Sequence, residues 1–241
     1  MELRIFKDKQ GLSRAAADLF VEIAALAIEN RGRFLVALSG GGTPAHLYRL
    51  LATAPYRDRV KWDKSFIFWG DERCVPPDDN GSNYLQANEI LLSRVPIPSK
   101  NILRIKGELS PQKASDAYAQ TLREFADPGL DWPRFDLVLL GMGADGHTAS
   151  LFPGSQVEAT SPTLAVTADY QDRPAKRVTL TPLVINNARK VLFLVSGESK
   201  AVTLSRVLSD RSNQELYPAQ RIQPLDGKVI WLVDESAAAK L

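Results

Sequence analysis

Five short apolar runs recur along the chain: Phe34-Leu35-Val36-Ala37-Leu38, Ser65-Phe66-Ile67-Phe68-Trp69, Asp136-Leu137-Val138-Leu139-Leu140, Val191-Leu192-Phe193-Leu194-Val195 and Val229-Ile230-Trp231-Leu232-Val233. Each is rich in β-branched or aromatic residues and is apolar at odd and even positions alike. A strand of that kind must be covered on both faces, as in a parallel sheet between helices. The intervening stretches change to a spacing of three and four. From Leu12 to Glu29, residues Leu12, Ala15, Ala16, Leu19, Ile23, Leu26 and Ala27 fall on one helical stripe. Thr43-Pro44, Ser110-Pro111 and Thr181-Pro182 each set a hydroxyl residue before a proline, a pairing suited to opening a helix. The alternation predicts a three-layer α/β/α, Rossmann-like fold with a mainly parallel sheet. Between Thr163 and Pro182 the rhythm breaks into two short strand-like pieces, Leu164–Thr167 and Arg177–Leu180. They are expected to add antiparallel or mixed strands to the sheet. The loops at 75–81 and 127–133 are too short for linkers, so residues 1–241 are expected to form a single domain.

Composition narrows the function. Thirty Lys+Arg against 28 Asp+Glu leave a net charge of +2, no footprint for a nucleic-acid partner. Cys74 is the only cysteine, which excludes an intrachain disulfide and a cysteine-cluster zinc site. His46 and His147 are the only histidines, so neither a metal nor another cofactor is expected. The first eight residues lack the apolar core of a signal peptide, and no apolar run reaches the roughly 18–20 residues that cross a bilayer. A cytoplasmic protein without a membrane partner is the expectation, with association between copies left open.

In open α/β sheets ligands gather at the carboxyl ends of the strands. After the first run comes Ser39-Gly40-Gly41-Gly42-Thr43-Pro44, whose glycines and following helix start suit a phosphate cradle. The lysine of a nucleotide P-loop is replaced by Ala45-His46. After the second run, Gly70-Asp71-Glu72-Arg73 offers a guanidinium for phosphate and an acid to orient a base, or else a surface ion-pair cluster. After the third, Gly141, Gly143 and Gly146 match the dinucleotide fingerprint, but Pro153-Gly154 arrives too soon for the helix that fingerprint needs. His147, beside Asp145 in this loop, is placed to act as a base near neutral pH, whereas His46 reads as a packing or capping residue. After the fourth run, Lys200 falls in the first turn of a helix, where a cation opposes the dipole unless an anion binds. The order Ser39, Asp71, His147 imitates a hydrolase triad, but Ala37 stands where a nucleophile elbow requires glycine.

Taken together, Leu38–Pro44, Trp69–Arg73, Gly141–Gly154 and Gly197–Lys200 resemble the 6-phosphogluconolactonase family, in matching order from Leu38 to the C-terminus. The resemblance implies the α/β/α fold shared with glucosamine-6-phosphate deaminase and ribose-5-phosphate isomerase. It also implies hydrolysis of 6-phospho-D-glucono-1,5-lactone in the oxidative pentose phosphate pathway. On that resemblance His147 is the general base for water, with Asp71 or Asp145 orienting it. The substrate phosphate sits on the amides of Gly41, Gly42 and Thr43, neutralised by Arg73 and Lys200. The related deaminases carry a glutamate where this chain has Phe152 and a tyrosine where it has Arg73, and both departures favour the lactonase. A sugar-phosphate sensor on the same fold would need a DNA-binding segment, and only about thirty residues precede the first core strand.

Overall fold

All five apolar runs are strands of one parallel sheet in the computed structural model, which describes residues 1–155, 159–170, 173–209 and 213–241. The elements in chain order are β1 (Glu2–Phe6), α1 (Lys9–Arg31), β2 (Phe34–Leu38), α2 (Gly42–Leu51), α3 (Tyr56–Arg59), β3 (Ser65–Trp69), β4 (Asp71–Arg73), α4 (Asn83–Ile90) and α5 (Pro111–Arg123). There follow β5 (Leu137–Leu140), β6 (Thr163–Thr167), β7 (Lys176–Leu180), α6 (Pro182–Ile185), β8 (Lys190–Val195), α7 (Ala201–Ser209), β9 (Lys228–Asp234) and α8 (Glu235–Ala238). The six-stranded sheet runs β1-β9-β8-β5-β2-β3. Every residue of β2 and β5 is buried, so both faces of the sheet's middle are covered, as their composition requires. No helix among the described residues is long and apolar enough to cross a membrane.

The sixth strand, β1, pairs in parallel with β9 and carries no both-faces-apolar signal. As an edge strand it leaves Leu3 and Ile5 exposed, so its sequence has no need to be apolar throughout. Helix α1 starts on Asp8, whose carboxylate accepts from the Gly11 amide (2.8 Å), and stops at Gly32 in a left-handed conformation. Its stripe is wider than expected. Phe20 and Ala24 are buried beside Leu12, Ala16, Leu19, Ile23 and Ala27, whereas Leu26 is 45% exposed. Ser110 and Thr181 occupy cap positions with proline following, as the pattern predicts. Thr43 does not: α2 begins two residues earlier, at Gly42, with Gly41 at φ +105° as its cap. That backbone suits glycine alone, which overrides the hydroxyl preference.

The antiparallel pair β6–β7 exists, but it does not extend the main sheet. It joins β4 in a separate three-stranded sheet of order β4-β7-β6. Asp71–Arg73, read from sequence as the loop after a strand, is therefore itself a strand. The chain swings out of the main sheet at Gly70, whose amide still donates to the Leu38 carbonyl (2.8 Å) while its carbonyl accepts from the Leu180 amide (2.7 Å).

Two buried tyrosines fix the points where the loops leave the sheet. The Tyr48 hydroxyl donates to the Ser39 carbonyl (2.6 Å) and accepts from the Ser39 amide (3.1 Å). The Tyr118 hydroxyl does the same to Trp69, at 2.9 Å in each direction. Each satisfies both backbone groups of a residue where the ladder gives out, which buried peptide groups require.

Glu72 is no surface ion pair. It is buried, and its Oε1 accepts from the amides of Arg73 and Asn83 (both 2.7 Å). Its Oε2 accepts from the Tyr84 amide (2.7 Å) and the Ser82 hydroxyl (3.0 Å). The carboxylate thus closes the 74–82 loop onto the start of α4, whose unpaired amides favour a negative charge. Glu72→Gln keeps the shape but turns one acceptor into a donor facing donors. Urea unfolding should register a loss of about 2–3 kcal/mol, against less than about 0.5 kcal/mol for the exposed Asp58→Asn.

Candidate active site

The carboxyl ends of β2, β3, β5 and β8 surround one cavity. Gly41, Gly42, Thr43, Asp71, Arg73, His147 and Lys200 all line it, so the structure brings together residues scattered over 160 positions of sequence. Asp145 lies just behind the lining. Its Oδ1 stands 2.6 Å from His147 Nδ1 and also accepts from the His147 amide (3.2 Å). With Nδ1 committed as the donor, Nε2 is the nitrogen left to accept a proton on the cavity side. This pair folds back over Gly143, where any Cβ would overlap both the imidazole and the carboxylate. Gly146 adopts φ +85° with the Tyr217 ring packed against it, so the loop needs glycine there too. No helix follows Gly146 before Ser155, which disposes of the dinucleotide fingerprint.

Burial pushes the Asp145 carboxyl up, but its hydrogen bonds and charge interaction with His147 pull harder, and its pKa lies below the ordinary aspartate value. The imidazole is held on its faces as well. Phe152 stacks on it at 4.6 Å and 29°, and Tyr170 meets it edge-on at 4.6 Å. Asp71 makes no bond to His147. Its Oδ2 accepts from the Ser150 hydroxyl (2.7 Å) and its Oδ1 from the Asn83 side-chain amide (3.3 Å), which fixes a carboxylate in the cavity wall. The Ser39 hydroxyl has no partner among the described residues, so Ser39, Asp71 and His147 form no triad. His46 is exposed on α2 and neither packs nor caps.

The loop expected to cradle a phosphate differs from that expectation in one amide. The Gly41 N–H donates to Gln86 Oε1 (3.0 Å), leaving Gly42 and Thr43, in the first turn of α2, as the open donors. Lys200 closes a 3-10 turn that runs directly into α7, rather than standing inside the helix. Burial lowers its pKa, Arg173 adds to the fall, and Asp145 opposes it. Ser196 and Gly197, which begin this turn, are tied to Asp234 at the end of β9.

Arg177 and Arg173 also line the cavity, and sequence reasoning overlooked both. Arg177 is 2% exposed, with Nε and Nη2 lacking any partner among the described residues, and its guanidinium lies 5.3 Å from the Phe152 ring centre. Burial lowers its pKa and the neighbouring Arg73 lowers it further. A guanidinium so placed is costly unless an anion meets it. The sequence offers one signal for it, a charge within the strand-like run Arg177–Leu180; its place opposite Arg73 emerges only from the strand register. Among the described residues no three His, Cys, Asp or Glu side chains converge to hold a metal ion.

A sequence profile for glucosamine-6-phosphate isomerases/6-phosphogluconolactonase matches residues 7–231. A 6-phosphogluconolactonase of Nostoc sp. (strain PCC 7120) is 38% identical over 99% of this chain and 98% of its own length. The crystal structure of devB protein superimposes with a TM-score of 0.90 at 36% identity, covering 100% of this chain and 99% of that one. The 6-phosphogluconolactonase of Trypanosoma brucei does so with a TM-score of 0.86 at 29% identity, covering 100% and 98%. With the profile spanning nearly the whole chain and the likeness running end to end, the chain belongs to the glucosamine-6-phosphate isomerase/6-phosphogluconolactonase family.

Proposed function

We propose that the chain hydrolyses 6-phospho-D-glucono-1,5-lactone to 6-phosphogluconate, the lactone-opening step of the oxidative pentose phosphate pathway. The observation that carries the reading is the Asp145–His147 pair, set in a cavity rimmed by Arg73, Arg173, Arg177 and Lys200. A lactone is an activated ester, so water needs a base and no covalent nucleophile is called for. Nε2 of His147 takes a proton from the water that attacks C1. The tetrahedral adduct then expels the ring oxygen, which takes the proton back from the imidazolium. Asp145 holds the tautomer and offsets the charge that forms. The amides of Gly42 and Thr43, with the cations around them, receive the phosphate and set C1 against the water. Asp71, fixed by Ser150 and Asn83, is left facing the sugar as a hydrogen-bond acceptor.

Phe152 favours this reading over a deaminase. Its ring lies flat on His147, where an apolar group cannot pass a proton to an opening amino-sugar ring. The reading of residues 1–241 as one domain is supported by a single buried apolar cluster running from Leu12 to Ala237.

Freshly generated 6-phosphogluconolactone should be turned over rapidly, and His147→Ala should lower kcat/KM by about 10²–10⁴-fold. Release of ammonia from glucosamine 6-phosphate without lactone hydrolysis would overturn the assignment. Asp145→Asn should give a smaller loss, carried by kcat with KM little changed, because the substrate is still held by the phosphate subsite. A third expectation concerns pH. Because burial favours the neutral amine of Lys200, its positive charge is lost at lower pH than that of an ordinary lysine. Affinity for 6-phosphogluconate, measured by calorimetry, should therefore fall as pH rises on the alkaline side, and Lys200→Arg should flatten that fall. An unchanged profile in Lys200→Arg would remove Lys200 from the anion site.

A further inference from the structure

Gln86 stands in the first turns of α4, at the meeting point of three segments that otherwise belong to separate parts of the chain. Its Oε1 receives the Gly41 N–H at 3.0 Å. A backbone N–H can only donate, so this bond settles which end of the side-chain amide is oxygen and which is nitrogen. The Nε2 end is thereby turned away from Gly41, and among the described residues it has no protein partner. The side chain lines a cavity with Gly41, Gly42, Arg73, Asn83 and Arg173, five residues that also line the cavity of His147.

The other groups at this wall are donors too. Arg73 gives Nη1 to the Gly81 carbonyl (2.6 Å), and its Nε is buried without a partner. The acid in the wall, Asp79, has Oδ1 turned to the Gly81 amide (2.7 Å). A neutral amide among guanidinium groups adds donors without adding repulsion, and it seats the loop that carries the remaining donors. We infer that Gln86 is a further binding residue of the phosphate subsite, its Oε1 latching the Gly41–Thr43 loop and its Nε2 donating to the substrate phosphate. The inference rests on the lactonase reading for the identity of the phosphate, but on geometry alone for the presence of an anion.

Gln86→Glu separates the two ends of the side chain. It keeps an oxygen for Gly41 and sets a carboxylate where the donor was. Gln86→Met removes both functions at similar size. KM for 6-phosphogluconolactone should rise about tenfold or more in Gln86→Glu and less in Gln86→Met, with kcat within about twofold of wild type in both. Calorimetry with inorganic phosphate should rank the affinities wild type, Gln86→Met, Gln86→Glu. Thermal unfolding without ligand should show Gln86→Glu folded as wild type. Wild-type KM and phosphate affinity in Gln86→Glu, with Gln86→Met alone impaired, would overturn the donor role and leave only the latch. A wild type that binds phosphate but leaves the lactone intact would overturn the proposed function while the ranking of phosphate affinities still decides for or against Gln86.

Discussion

The Glu72 carboxylate is the contact on which the site's geometry depends. Three residues beyond the end of β3, it gathers the amides of Asn83 and Tyr84 and the Ser82 hydroxyl, and so anchors the first turn of α4 beside β4. That turn then reaches in two directions. Asn83 donates to the Asp71 carbonyl (2.9 Å) and to its carboxylate, and Gln86 accepts from Gly41 in the phosphate loop. Asn83 also presses so close to Gly40 that no side chain fits there. One buried acid therefore sets the relative position of the phosphate loop and the Asp71 strand. Burial is the largest influence on its own pKa and raises it, with Asp71 adding to the rise, while the Asn83, Tyr84 and Arg73 amides restrain it. An acid held against its preference in this way is retained for the donors it organises, since an apolar substitute would strand them.

The cavity itself is arranged less for stability than for charge. Among the described residues Arg177 is buried with two unpaired nitrogens, half-buried Arg73 has a buried Nε without a partner, and Lys200 is drawn toward neutrality by its surroundings. Buried cations without a partner are costly, and places where local rules are broken are commonly functional. The unpaired donors are what an incoming phosphate would satisfy, so the desolvation cost borne by the free protein becomes specificity for an anion. The His147 loop shows the same economy. Gly143 gives up a side chain so that imidazole and carboxylate can close on each other, and Gly146 gives up one so that the chain can turn against Tyr217.

What the sequence revealed and what it hid follow from the range over which each interaction acts. The central strands were legible because burial on both faces forces every position to be apolar. Strand β1 was hidden since an edge position relaxes that demand, and β4 because Asp-Glu-Arg has no strand signal apart from its partner β7. His147 and Asp145 stand two residues apart, so their bond could be anticipated, although only coordinates separated Asp145 from Asp71 as the partner of the ring. The cap of α2 lies two residues before the one its sequence suggests, as local propensity for Thr43 gives way to the positive-φ backbone that only Gly41 tolerates. Asn83 and Gln86 act across the fold, and nothing in their immediate neighbours distinguishes them.

The ring of cations raises a difficulty for a histidine base, since positive charge nearby disfavours the imidazolium that proton abstraction creates. The structure answers it by placement. Asp145, ionised below the ordinary range, touches the ring directly at 2.6 Å, and the same carboxylate acts on Lys200, the cation of the turn after β8. Phe152 and Tyr170 pack the ring on two sides. The imidazole proposed as the base thus meets one close negative charge and two aromatic walls. On the proposed reading the guanidinium groups are left to the substrate phosphate, whose own charge would cancel theirs.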